Sequence, residues 1–199
     1  MLSVGSSIFY RPKGKQVLAD AARARFHEGN VGDLVGLLMV YNEWRSCGYG
    51  VSWCYENYIR YKSMKCARDI RDQLERLLET VEIQKTSSLN DLEAIKKAIT
   101  SGFSPHVARL QNGGSYSTVK RRQSAHIHPS SSLALSFPKP EWVAYHELVL
   151  TSQEYMHQVT EIRPEWLVEI APHYYQLKEV NGAGSVSYTH LTLPTNREV

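Results

Sequence analysis

The stretch from Trp142 to Leu177, WVAYHELVLTSQEYMHQVTEIRPEWLVEIAPHYYQL, constrains the chain more than any other. It opens with alternation: Val143, Tyr145, Glu147 and Val149 fall on one side, and Trp142, Ala144, His146, Leu148 and Leu150 on the other. Period-two patterning built from β-branched and aromatic residues predicts a strand. A second strand-like run follows from Tyr155 to Ile162. Pro164 then suits the first turn of a short helix, in which Trp166, Leu167 and Ile170 recur at helical spacing and which Pro172 stops. Such a helix cannot bury its apolar stripe alone, so it must pack on the strands.

Upstream, the same logic predicts helices. Ala19 to His27 is a short candidate. Gly32-Asp33 offers an N-cap for a helix carrying Leu34, Leu37, Leu38, Tyr41 and Trp44 at three- and four-residue steps. Trp53 to Ile59 is a brief helical run. Lys62 to Val81 is the clearest helix, with Met64, Ala67, Ile70, Leu74, Leu77, Leu78 and Val81 on one stripe. Its other face pairs Lys65 with Asp69, Arg68 with Asp72, Arg71 with Glu75, and Asp72 with Arg76 four residues apart. Asn90 with Glu93 has the form of a capping box before Leu92, Ile95, Ile99 and Phe103. Pro105 ends the helical part. Met1 to Lys15 carries the breakers Gly5, Pro12 and Gly14 and no periodic pattern.

After Pro105 the signals become those of strands. Val107–Leu110 and Tyr116–Lys120 flank the turn Asn112-Gly113-Gly114, and Ala125–His128 is a third strand closed by Pro129. With the two strands after Trp142, five short strands and a helix suffice for a small β barrel. The fold class is therefore α+β: an N-terminal helical bundle over 1–104, then a five-stranded barrel with a short C-terminal helix over 105–180. Residues 181–199 are small, polar and unpatterned, and are expected to be disordered.

Charge is distributed unevenly. The net charge is only +3. From Pro105 to Pro140, however, Arg109, Lys120, Arg121, Arg122 and Lys139 stand with no Asp or Glu, whereas Glu141 to Val180 holds seven acids against Arg163 and Lys178. A basic half suits a polyanion; equally, the two halves can attract each other within the fold. No apolar run approaches the ~18 residues of a membrane span. Cys47, Cys54 and Cys66 form no CxxC pair, which points to a reducing compartment. There is no GxxxxGK[ST] phosphate loop, DEAH tetrad or GxSxG elbow, so the chain is not expected to hydrolyse ATP by itself.

Three clusters stand out as candidate sites. In Tyr116–Arg122, YSTVKRR, an aromatic precedes Lys120, Arg121 and Arg122, combining a stacking platform with a backbone clamp for a single strand; a solubilising hairpin end is the plainer reading. His126 and His128, two apart, project to one face. They would hold zinc only with a third ligand, for which His106 and His146 have no recognised spacing. On the long helix, Arg68 and Arg71 either solvate its surface or line a strand-guiding channel.

These motifs carry a resemblance. The YHELV-T--EYM--VT---PEWL-E-AP-YY pattern, WCYENYI (Trp53–Ile59), KSMKCARDIRDQL (Lys62–Leu74) and IHPSS (Ile127–Ser131) are similar to the C-terminal region of the DEAH-box ATP-dependent RNA helicases, the pre-mRNA-splicing members above all. The likeness covers about Met1 to Val180. Cys66 and Lys62 stand where that family usually has arginines, and Lys120-Arg121-Arg122-Gln123 replaces a KHPQ-like segment. The resemblance implies that 1–104 is the helical, ratchet-like helicase-associated region and 105–180 an OB-fold. It implies RNA contact by Arg68, Arg71, Tyr116, Lys120, Arg121, Arg122, His126, His128, Ser130 and Ser131, with the last four donating hydrogen bonds to phosphates or bases. It implies single-stranded RNA, the upstream motor domains of the same helicase, a G-patch activator and spliceosome components as partners, and a nuclear location. No cofactor is expected in this piece; ATP and magnesium belong to the motor domains, which would precede Met1. The alternative is an interaction scaffold without RNA contact; a small hydrolase built on the histidines ranks last. The ending VSYTHLTLPTNREV resembles the translated read-through of a sequencing adapter.

Overall fold

The computed structural model describes residues 1–188 except 6, 30, 89, 90, 173, 176 and 180–185, and gives the backbone alone at 177–179 and 186–188. Contacts divide the chain into two compact units, one of Met1–Val31 with Val35–Asn90, the other of Gly32–Leu34 with Asp91–Val199.

The first unit is helical. It holds α1 (Gln16–Arg25), α2 (Asp33–Ser46, whose first residues belong to the second unit), α3 (Val51–Glu56) and α4 (Tyr61–Thr80). Its core joins Ile8, Phe26, Val40, Tyr41, Trp44, Trp53, Cys54, Ile59 and Met64. The aromatics of WCYENYI thus divide: Trp53 is core, whereas Tyr55 is exposed. The N-terminal segment has no helical or strand periodicity, yet it is anchored. Phe9 bridges Ile59, and the amides of Arg60 and Tyr10 donate to the carbonyls of Ile8 and Tyr58. On α4 the apolar stripe is only partly used. Met64 and Ala67 are buried, while Leu74, Leu77, Leu78 and Val81 are exposed. Of the expected charge pairs, Arg71–Glu75 forms at 3.1 Å, while Arg76 Nε donates to the carbonyl of Asp72 instead of its carboxylate.

The second unit is a closed barrel in the order β1-β2-β3-β5-β4, from β1 (Val107–Leu110), β2 (Tyr116–Thr118), β3 (Ser124–Ile127), β4 (Trp142–Leu150) and β5 (Glu154–Glu161). All pairings are antiparallel except β3 with β5, and β1 closes on β4 with Val107 opposite Ala144. Simple alternation fails on β4. Trp142, Val143, Ala144 and Tyr145 are all buried, because both faces of that half-strand are covered. Val143 and Tyr145 fill the barrel with Ala108, Tyr116, Ala125, Leu133, Met156 and Val159. Trp142 and Ala144 lie outside it, packed with Val107, Ile162, Trp166 and Leu167. Further along, Leu148 turns inward to pack on the barrel core, the opposite of its expected side. The switch coincides with Gln158 on the facing strand, which sits at φ 47°, a left-handed conformation uncommon outside glycine.

Two helices flank the barrel: α5 (Leu92–Phe103) and α6 (Pro164–Ile170), the latter with proline in its first turn. Phe103 packs against the Trp142–Trp166 cluster, and Lys97 Nζ pairs with Glu169 at 2.6 Å. By contacts α5 therefore belongs with the barrel, although Pro105 is the sequence's strongest break. Asn90 of the expected capping box lies outside the described residues. The cap is Asp91, whose Oδ1 accepts from the Ala94 amide at 3.0 Å. Of the tail 181–199, only Val186–Tyr188 is described; as β7 it pairs with β6 (Leu177–Glu179).

Asp33, expected with Gly32 as an N-cap, is bonded to residues far along the chain. It is the first residue of α2. Its carboxylate accepts from the Ser132 amide and hydroxyl, both at 2.8 Å, and from the Val159 amide at 2.9 Å. Gly32, at φ 91°, passes so close to Thr160 that an added Cβ would lie 2.9 Å from its Cα. The strand-rich unit thus uses three residues from far upstream in the chain.

Candidate nucleic-acid interface

The basic run forms the turn between β2 and β3. Thr118, almost fully buried, holds it: its amide donates to the Gln123 carbonyl, its hydroxyl accepts from the Gln123 amide, and its carbonyl accepts from the Arg122 amide. Arg122 takes the left-handed conformation, φ 54°, that closes the turn. The side chains of Lys120, Arg121 and Arg122 are exposed on this rigid support. Arg109 and Lys139 are engaged elsewhere, Arg109 with Glu141 at 3.0 Å and over the Trp142 ring, and Lys139 with the Gly114 carbonyl. The basic and acidic halves therefore do attract each other at Arg109–Glu141. Among the described residues, neither Lys120 nor Arg121 forms an ion pair.

Lys120 and Arg121 line a cleft of about 190 Å³ with His106, Gln123, Tyr145 and Glu147. That is below the ~300–1,000 Å³ of pockets that engulf a small molecule. It suits a single flat group or the edge of a polymer. His106 is exposed and lies parallel to Tyr145, centroids 5.4 Å apart at 6°. Its Nδ1 is 3.0 Å from the His146 carbonyl oxygen. A carbonyl only accepts, so Nδ1 carries the proton and the ring is held in place. Burial pushes the Tyr145 phenol above its ordinary range, against a smaller opposing pull from the Arg121 charge. The cleft thus offers two cations, one carboxylate and a supported aromatic face.

The remaining expected residues fall in different places. Tyr116 is a correction. Its side chain is 1% exposed, its hydroxyl donates to the Pro140 carbonyl at 2.8 Å, and burial pushes its pKa up to about 12. A ring enclosed in the barrel core cannot stack on a base. Ser131 is also a correction: it is buried, and its hydroxyl accepts from the Leu133 amide. Ser130 is exposed, and its hydroxyl lies 2.7 Å from His128 Nδ1. His126 and His128 share one face as expected, together with Tyr155 and His157, which the sequence did not single out. The signal was available in the period-two spacing of Tyr155 and His157 on a predicted strand. Among the described residues, no group of three or more His, Cys, Asp or Glu is arranged to hold a metal ion.

Arg68 and Arg71 lie on α4 in the helical unit. Arg68 sits over the Tyr49 ring at 5.3 Å and 3.7 Å from Asp69. Arg71 sits over Tyr41 at 6.0 Å and pairs with Glu75. Both have local partners that explain them structurally.

A closed five-stranded barrel flanked by helices, with a basic turn and an aromatic cleft on its wall, is the architecture of an OB-fold. Residues 95–174 match a family model described as the oligonucleotide/oligosaccharide-binding (OB)-fold. The match includes most of α5, every barrel strand and α6, and so follows the compact unit more closely than the break at Pro105.

Proposed function

We propose that this chain is the RNA-guiding and partner-docking C-terminal part of a DEAH-box ATP-dependent RNA helicase that remodels the spliceosome in the nucleus. The observation that carries the RNA reading is the cleft, where Lys120 and Arg121, in no ion pair among the described residues, stand beside the stacked His106 and Tyr145 on an OB barrel. Cations beside an aromatic face grip a single strand by phosphate attraction and base stacking together. The motif likenesses in Lys62–Leu74 and Trp142–Tyr175 support the helicase assignment. In this reading the motor domains of the same polypeptide bind ATP and magnesium and pull the strand that this part holds. A G-patch protein and spliceosome components are its further partners.

Salt titration of oligouridine binding tests the reading. The log of affinity falls with log salt by ~0.7 per phosphate neutralised on a single strand. Replacing Lys120 and Arg121 together with alanine should flatten that slope by up to ~1.4. An unchanged slope, or no binding by the parent chain at low salt, refutes the reading.

The second reading is a protein-docking scaffold. Leu135 and Phe137 favour it, being 95% and 96% exposed on the loop before β4. If it holds, replacing both with serine releases a protein partner and leaves oligouridine affinity untouched.

A further inference from the structure

The outward face of β3 and β5 carries four rings that the cleft does not use. His126 stands opposite Tyr155 in the parallel register. Ala125, Ile127 and Met156 belong to the barrel core, so alternation turns His126, His128, Tyr155 and His157 outward. The rings touch one another. His128 and His157 have centroids 4.1 Å apart at 30°, Tyr155 meets His128 edge-on at 5.6 Å, and His126 lies 6.3 Å from Tyr155. All four are half-buried, so each presents part of its surface to solvent.

The layer offers flat ring faces in place of lysine or arginine. The Ser130 amide donates to His128 Nδ1 at 3.1 Å. An amide N–H can only donate, so Nδ1 is an acceptor and the neutral ring carries its proton on Nε2. Glu147, which also lines the cleft, is the cross-strand partner of His157.

We propose that this face is a stacking site for an unpaired nucleobase of single-stranded RNA, with Tyr155 and His157 as its contact residues. It rests on the RNA reading of the barrel and assigns the stacking role to these rings in place of the enclosed Tyr116. Phosphates are gripped at the β2–β3 turn, and bases are read by their π faces on β3 and β5. Every base has such a face, so the site is tolerant of sequence.

The test compares oligouridine with an abasic phosphodiester of equal length, using the 199-residue chain and fluorescence anisotropy. Tyr155→Leu with His157→Leu removes both rings and keeps an apolar side chain at each position. It should weaken oligouridine binding by roughly 5- to 150-fold, the equivalent of ~1–3 kcal/mol for one stacked base, and leave both the salt slope and the abasic affinity as in the parent. Tyr155→Phe should bind as the parent does. In the unmodified chain, the ring protons of Tyr155 and His157 should shift on adding oligouridine and stay in place with the abasic chain; this readout needs no variant to fold. Equal binding by the leucine variant, or parallel loss with both oligomers, overturns the proposal while leaving the cleft reading intact. Failure of the parent chain to bind either oligomer removes both.

Discussion

Replacing Asp33 with alanine should cost the barrel unit far more than a lost helix cap. The carboxylate accepts three hydrogen bonds at 2.8–2.9 Å, from the Ser132 amide, the Ser132 hydroxyl and the Val159 amide. Val159 is fully buried, so its amide has no route to water once the acceptor is gone. An orphaned buried donor costs ~1–3 kcal/mol. Ser132 is half-buried and recovers part of its loss through solvent, which leaves ~1 kcal/mol there. The sum is about 2–4 kcal/mol, against ~0.5–2 for an ordinary capping residue. With a urea m-value of ~2 kcal/mol/M, the midpoint should fall by roughly 1–2 M. Asp33→Asn keeps one carbonyl acceptor and should fall between parent and alanine. Urea unfolding followed by tryptophan emission measures the midpoint, to which Trp142 and Trp166 contribute. Hydrogen exchange at the Val159 amide supplies the local reading and should accelerate in Asp33→Ala. A midpoint within about 0.3 M of the parent, or an unchanged Val159 exchange rate, would refute the reasoning that this carboxylate serves the strand.

The same unit yields three further expectations. Gly32→Ala meets the Thr160 backbone at 2.9 Å from a left-handed φ of 91°, so it should destabilise by more than ~1 kcal/mol in thermal unfolding, where a tolerated glycine replacement would stabilise. Tyr116→Phe removes the buried hydroxyl that donates to the Pro140 carbonyl and should cost ~0.5–1.5 kcal/mol while leaving oligouridine affinity unchanged, as befits a core ring. The folded-state pKa of Tyr116, about 12, lies above the ~10 of an exposed phenol, so its protonated form is favoured by folding. Stability from this group is complete below pH ~10 and declines as pH rises toward about 12; unfolding midpoints across that window should fall less steeply in Tyr116→Phe.

The helical half and the strand order along the chain were legible because their patterns are local. Pro164 at the start of α6 and the 3.6-residue stripe of α4 needed no tertiary knowledge. What escaped depends on contacts distant in sequence. Asp33 reads as a cap because its partners lie 99 and 126 residues away. Tyr116 reads as an exposed platform because it neighbours a basic run, yet it faces the barrel interior while the turn that follows reverses the chain. Leu148 faces inward because the strand pair switches sides near Gln158, which no periodic template anticipates. His157 went unnoticed because its period-two spacing with Tyr155 gains weight only when His128, on another strand segment, lies against it.

The ring of strands has a further meaning. With β1 joined to β4 and β3 joined to β5, each barrel strand has a neighbour on both sides over part of its length. A partner annealing there as an additional strand would have to displace one of these pairings. Along those paired stretches the wall recognises a ligand through its side chains and turns, so individual point substitutions can erase a specificity that main-chain pairing would have made indifferent to them.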